Sequence, residues 1–262
     1  MKNIIHIASI SIPAIGLMII LGFVEQAQGN LVCTSIDIDI DRSNGNYFVE
    51  EEDIFAMVYH EMDTLIGRPI AAINAEGMEH KINNHSSVYN AEVFKTLDGT
   101  LRIEVQQRTP VVRLFAKNGD TYYIDSIGNI MPASKRYTAR VLVANGYIYD
   151  SFVGVNAHNV KTLNDSLAQR FIVDDVFKVV QYIRQNPFWD AQIEQLYVNK
   201  ELEFELIPRV GNHRIVFGDA SSIAQKFNKL KIFYKKGLSK TGWNEYSTIN
   251  LKFANQVVCT KR

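Results

Sequence analysis

From Ser35 to Ile40 polar and apolar residues alternate one for one, the period of a strand that buries a single face. The rhythm then changes. An acidic run, Glu50-Glu51-Glu52-Asp53, suits the positive end of a helix dipole and leads into Ile54, Met57, Val58 and Met62 at helical spacing, until Gly67-Arg68-Pro69 interrupts. A second helix is expected over Asn74 to Asn83, with Asn74 as its cap and Ile73, Met78 and Ile82 as its apolar positions. Two strands follow, Val88–Leu97 and Thr100–Arg108, around Asp98-Gly99, a dipeptide that accepts the positive φ angles of a tight hairpin turn. The predicted order is β-α-α-β-β.

Beyond this unit the pattern is richer in strands. Val141–Val143 reads as a buried strand, and Asp174-Asp175 as the cap of a helix through Val176, Phe177, Val180 and Ile183 that Asn186-Pro187 ends. Ile193–Val198, Leu202–Ile207 and Arg214–Phe217 are expected strands, punctuated by Pro208 and Gly211. Ala220 to Lys236 carries Ile223, Phe227, Leu230 and Phe233 at helical spacing. Lys226, Lys229, Lys231, Lys235 and Lys236 lie around it and read as a solvated basic face. Tyr246–Phe253 and Gln256–Thr260 supply terminal strand material.

Ile4 to Val24 contains no Asp, Glu, Lys or Arg over 21 residues, enough to cross about 30 Å of hydrocarbon as a helix. Lys2 precedes it and no Lys or Arg follows until Arg42, so the positive-inside bias puts residues 1–3 in the cytoplasm and the remainder outside it. A cleavable signal peptide is the competing reading, since Ala27-Gln28-Gly29 resembles a processing site; the length of the apolar run favours an anchor. The expected whole is an α+β protein with a single N-terminal transmembrane helix at 4–24, a compact domain at 31–108 and a β-rich domain with flanking helices at 109–262.

Charge and chemistry narrow the function by exclusion. The 28 Lys+Arg balance 28 Asp+Glu, so the composition carries no nucleic-acid footprint. Cys33 and Cys259 would lie in a compartment that permits disulfides, and either a bond or two buried thiols fits the sequence. Ser239-Lys240-Thr241-Gly242 holds the Lys-Thr-Gly of penicillin-binding enzymes, but no serine has a lysine three positions later to act as its nucleophile motif. His60-Glu61 lacks the second histidine of a zinc-protease helix, and His80 and His85 are five apart, on different helical faces. No catalytic residue, metal ligand or cofactor site is assigned.

The stretch Leu101-Arg102-Ile103-Glu104-Val105-Gln106-Gln107-Arg108-Thr109-Pro110 resembles the L-x-I-x-V-x-E-x-x-P hinge of the FtsQ/DivIB cell-division family, with Gln107 where many members have Glu. Ile124-Asp125-Ser126-Ile127-Gly128-Asn129-Ile130 is similar to that family's (I/V)D-x-x-G-x-(I/L) element. The resemblance covers nearly the whole chain, its last third looking like the Bacteroidetes branch. It implies a POTRA domain at 31–108 and an FtsQ-type β-domain at 109–262. The role it implies is that of a non-enzymatic scaffold in the inner membrane at the septum, which links divisome proteins to wall synthesis. A POTRA-bearing envelope-assembly module is the alternative, though repeated POTRA units or a long barrel are not evident.

A β-rich domain that closes on a strand tends to leave one sheet edge unpaired, and an extended partner segment can add to such an edge. In the family that partner is an FtsB/DivIC-type protein coiled with an FtsL-type one, and other divisome proteins dock on the POTRA domain. The corresponding segment here is Tyr246, Ser247, Thr248, Ile249, Asn250, Leu251, Lys252 and Phe253. Ile249, Leu251 and Phe253 are expected to face the core, leaving Thr248, Asn250 and Lys252 available. Asn250 stands where the family pattern has an acid.

Overall fold

The computed structural model describes residues 31–59, 65–150, 159–161 and 171–262, with residues 15, 16 and 18 of the N-terminal segment. The expected spanning helix at 4–24 and the His60-Glu61 pair therefore lie almost wholly outside the described residues. Among those described, no helix is long and apolar enough to cross a membrane. The chain divides into two compact units, Met1–Gln107 and Arg108–Arg262.

In the first unit β1 (Ser35–Asp41), α1 (Glu51–Tyr59), α2 (Ala75–Asn83), β2 (Val88–Lys95) and β3 (Thr100–Gln107) follow in that order. The sheet order is β1-β3-β2, with β1 parallel and β2 antiparallel to the central β3. Alternation decides which side is buried: Leu101, Ile103 and Val105 of β3 have at most 1% exposure, while Arg102 and Glu104 point to solvent. Ile54, Val58, Met78 and Ile82 of the helices close that core. Asn74 caps α2 as expected, its side chain accepting from the Gly77 N–H. At the hairpin, Gly99 has φ +88° and a Cβ there would stand 2.6 Å from the Val32 carbonyl oxygen, so only glycine fits.

Gln107 ends β3 as a buried hub. Its Oε1 accepts from the Phe48 and Val49 N–H groups at 2.8 and 3.1 Å, and its Nε2 donates to the carbonyls of Asn46 and Asp41 at 2.8 and 3.3 Å. A carboxylate could make the first pair of bonds but not the second, which gives a physical reason for an amide here.

The second unit holds a nine-stranded sheet in the order β12-β11-β10-β9-β8-β7-β4-β5-β6. Its strands are β4 (Pro110–Phe115), β5 (Thr121–Asp125), β6 (Ile130–Pro132), β7 (Leu142–Gly146), β8 (Ile193–Val198), β9 (Phe204–Pro208), β10 (Arg214–Gly218), β11 (Tyr246–Asn250) and β12 (Val258–Lys261). Three helices, α3 (Ile172–Arg184), α4 (Pro187–Gln192) and α5 (Ile223–Phe233), contribute Val176, Phe177, Val180, Trp189, Phe227 and Leu230 to one core with the strands. Where β7 ends, Gly146 (φ +106°) lets the Val198 carbonyl approach to 2.2 Å of where a Cβ would sit.

The Asp125 element is a knot of hydrogen bonds. The carboxylate, 2% exposed, accepts from the Ile127 and Asn129 N–H groups at 3.0 and 2.7 Å and from the Asn129 amide at 3.2 Å, and it pairs with Arg108 at 2.8 Å. It closes the β5–β6 turn and ties that turn to the residue leading into β4.

Three expectations need correction. Asp174 and Asp175 do not cap α3: it begins at Ile172 behind an extended Phe171, and both carboxylates, inside its first turn, bond to Lys178 at 2.6 and 3.3 Å. Asn186-Pro187 ends α3 but also starts α4, since the Asn186 side chain accepts from the Phe188 N–H and Pro187 needs no partner in the first turn. Leu202 lies in a turn with φ +59°, so β9 starts only at Phe204.

Candidate functional site

The C-terminal end of the large sheet is built from β10, β11 and β12. β11 lies parallel to β10, in register from Arg214↔Thr248 to Val216↔Asn250, and the Leu251 N–H extends this ladder to the Val216 carbonyl at 2.9 Å. On its other side β12 runs antiparallel, pairing Thr248↔Thr260, Ile249↔Cys259 and Asn250↔Val258. The expected open edge at Tyr246–Phe253 is thus corrected: β11 is the penultimate strand, and Val258–Lys261 forms the edge. β12 answers to the terminal strand material expected at Gln256–Thr260, displaced toward the C-terminus behind a turn at Ala254-Asn255.

Ile249 and Leu251 are fully buried, as their alternation implies, but Phe253 is 47% exposed. The chain turns before reaching it, because the Asn250 side chain accepts from the Lys252 N–H at 2.9 Å. That bond gives Asn250 a local role in place of the acid of the family pattern. Lys252 pairs with Glu203 at 2.7 Å, and Ser247 Oγ donates to the Thr260 carbonyl at 3.2 Å.

The basic helix is less solvated than its sequence suggests. Lys226 is buried, bonded to the Asp219 carboxylate and carbonyl at 2.7 and 2.8 Å, and it holds the Asp219 carboxyl well below the usual carboxylate range. Lys229 donates to the carbonyls of Leu251 and Phe253, pinning the chain just after β11. Lys229, Ile232, Phe233 and Lys236 face Asn255–Val257 across a groove of about 400 Å³. A π-helical turn, Tyr234–Leu238, forms the end of that groove, with Gly237 pressed against the Phe233 ring.

Motifs suggestive of catalysis resolve into local structure. In Ser239-Lys240-Thr241-Gly242 the two hydroxyls donate to the Lys235 and Gly237 carbonyls at 2.6 and 3.3 Å. His80 meets Asn84 and His85 accepts from the Ser87 N–H. Cys33 and Cys259 are free thiols. Among the described residues no group of three or more His, Cys, Asp or Glu side chains is placed to hold a metal ion.

His213 is buried under the same end of the sheet, 3.0 Å from the Tyr234 hydroxyl and stacked on Trp243. Burial pushes its pKa down; the Trp243 backbone opposes this and the Arg262 charge reinforces it. A base with a depressed folded pKa is protonated first in the unfolded chain. Stability is therefore held above about pH 6.5 and lost as the pH falls below it toward the folded value. Urea unfolding between pH 7 and 5 is expected to show a loss approaching about 1.4 kcal/mol per pH unit at most from this group, and His213→Gln should flatten that part of the slope.

A β-α-α-β-β unit followed by a nine-stranded mixed sheet backed by helices defines a two-module α+β protein. A family model described as FtsQ/DivIB, C-terminal related, matches residues 109–260, and one described as a POTRA-like domain matches residues 31–106. The first match spans more than half of the chain, which therefore belongs to the FtsQ/DivIB family, a family of non-enzymatic, membrane-associated cell-division scaffolds. No curated protein matches the chain.

Proposed function

We propose that this chain is a divisome scaffold held in the inner membrane by residues 4–24, with residues 1–3 in the cytoplasm and the domains at 31–108 and 109–262 in the periplasm at the septum. Its β-domain captures an FtsB/DivIC-type partner, with its FtsL-type companion, at the β11–β12 end of the large sheet, and so links them to septal wall synthesis. The POTRA domain docks further divisome membrane proteins. The reading of 4–24 as an anchor is supported by its uncharged length.

The observation that carries the docking proposal is the composition of that sheet end. β11 has a fully buried Ile249 beneath it, yet only a four-residue, largely exposed strand lies outside it. Main-chain groups there supply attachment and the alternating side chains supply choice of partner. Deleting residues 246–262 from the full chain is expected to abolish capture of the cognate DivIC-type ectodomain in pull-down while membrane insertion is retained. Undiminished capture by the truncated chain overturns the proposal. Fluorescent fusions should concentrate at midcell during constriction, whereas uniform envelope labelling would favour an envelope-assembly role.

A further inference from the structure

The end of the N-terminal unit at which the chain arrives from residue 30 carries exposed apolar residues. Backbone bonds lay three short segments side by side there. The Cys33 N–H donates to the Arg68 carbonyl at 2.8 Å and the Gly67 N–H to the Cys33 carbonyl at 2.7 Å, while the Thr34 N–H donates to the Gly99 carbonyl at 2.9 Å. Each segment holds one large apolar residue in solvent. Val32 is 42% exposed, Ile66 59% and Leu97 81%, the last being the most exposed large apolar residue among those described. A single such residue is ordinary on a surface. Three on adjoining segments, one of them in a hairpin turn where polar residues are the usual choice, mark a contact surface.

The turn that presents Leu97 is firmly closed. The Thr96 N–H donates to the Thr100 carbonyl at 2.9 Å, and Gly99 takes the positive φ. The Asp98 carboxylate is satisfied inside the turn, accepting from the Thr96 hydroxyl and, at 3.2 Å, from the Thr100 N–H. Among residues 31–34, 65–70 and 95–99 Asp98 is the only carboxylate, whereas Arg68 and Lys95 are both exposed cations. Lys95 also reaches the Ala71 carbonyl at 3.3 Å.

The chain that leads into this tip decides what faces it. The Leu31 carbonyl accepts from the Ile70 N–H at 2.8 Å, so the tip starts at residue 31, and Val24 ends the uncharged run seven steps earlier. Seven steps reach at most about 25 Å even when fully extended. A headgroup layer is about 5–7 Å deep on each side of the hydrocarbon. With residues 4–24 in the bilayer, the tip therefore stays within reach of the lipid surface. Apolar side chains beside Arg and Lys suit the boundary between headgroups and acyl chains, where the cationic ends meet lipid phosphates.

We propose that Val32, Ile66 and Leu97 form a membrane-resting tip, seated in the headgroup layer of the bilayer that carries the anchor, with Arg68 and Lys95 on lipid phosphates. This rests on the reading of 4–24 as that anchor. It gives the N-terminal unit a second point of attachment, so that its orientation to the membrane is set by the fold as well as by a tether.

Lipid-borne quenching tests it. The full chain carrying Cys259→Ser is reconstituted into vesicles of phosphatidylethanolamine and phosphatidylglycerol that contain a headgroup nitroxide lipid. A fluorescent dye is placed on an introduced cysteine, either Leu97→Cys or, beyond the far end of β1, Ser43→Cys; the native Cys33 is fully buried. Quenching is expected to be at least about twofold stronger at 97 than at 43. Adding Val32→Glu and Ile66→Glu, both at exposed positions, should relieve it. Resistance to alkaline carbonate extraction reports the anchor separately. A chain that resists extraction but shows equal quenching at 97 and 43 overturns the tip and leaves the anchor standing. Quenching at 97 that survives both glutamates belongs to the dye and likewise overturns the tip. Release by carbonate with no quenching at either position overturns anchor and tip together.

Discussion

A Gln107→Glu variant is expected to lower the unfolding free energy of the N-terminal unit by about 2–4 kcal/mol at pH 7. The substitution keeps shape and replaces the amide NH₂, which donates to the Asn46 and Asp41 carbonyls, by a second carboxylate oxygen aimed at them. Buried among carbonyls, the new carboxyl takes a folded pKa above its unfolded value of about 4.3. Once protonated it can donate to one carbonyl while still accepting from the Phe48 and Val49 N–H groups. The ionisation part of the deficit is therefore absent below about pH 4, where only the loss of one donor remains, grows as pH rises toward the folded pKa, and is complete above it. Urea unfolding at pH 7 and pH 4.5, with hydrogen exchange to assign the transition to residues 31–107, checks both magnitude and sign. A deficit independent of pH would contradict the role given to the Gln107 amide.

Asp125→Ala should be comparably severe in the second unit, about 3–5 kcal/mol, because it withdraws a buried carboxylate from a guanidinium that is itself only 14% exposed and leaves turn N–H groups without their acceptor. Asp125→Asn, which keeps an acceptor oxygen but no charge, is expected to recover part of the loss. A shift in the urea midpoint of the Arg108–Arg262 unit at unchanged m-value is the readout. A change below about 1 kcal/mol for Asp125→Ala would mean that the motif is held by something other than its carboxylate.

These two residues also mark how far the sequence could be read. The Gln107 and Asp125 positions were recognisable as parts of family motifs, but their work depends on backbone groups of residues 41–49 in one case and 127–129 in the other. No periodicity reveals such backbone partners. Elements with strong alternation or a clean cap, such as β3, α2 and β8, were legible because one buried face and one local bond decide them. α4 was not, since six residues around Trp189 carry too little periodicity, and the ring's place against Phe227 at 4.9 Å is a tertiary fact. The apolar face of β11 was readable up to Leu251. Its edge status was not, because whether a ladder continues is settled by the next strand.

The central claim is that this protein works through main-chain groups at the β11–β12 end of its large sheet. Amide hydrogen exchange of the full chain, with and without the cognate DivIC-type ectodomain, tests it most directly. The account predicts that the main change on binding falls within residues 246–261. Unchanged exchange there, with new protection confined to other strands or helices, would contradict it.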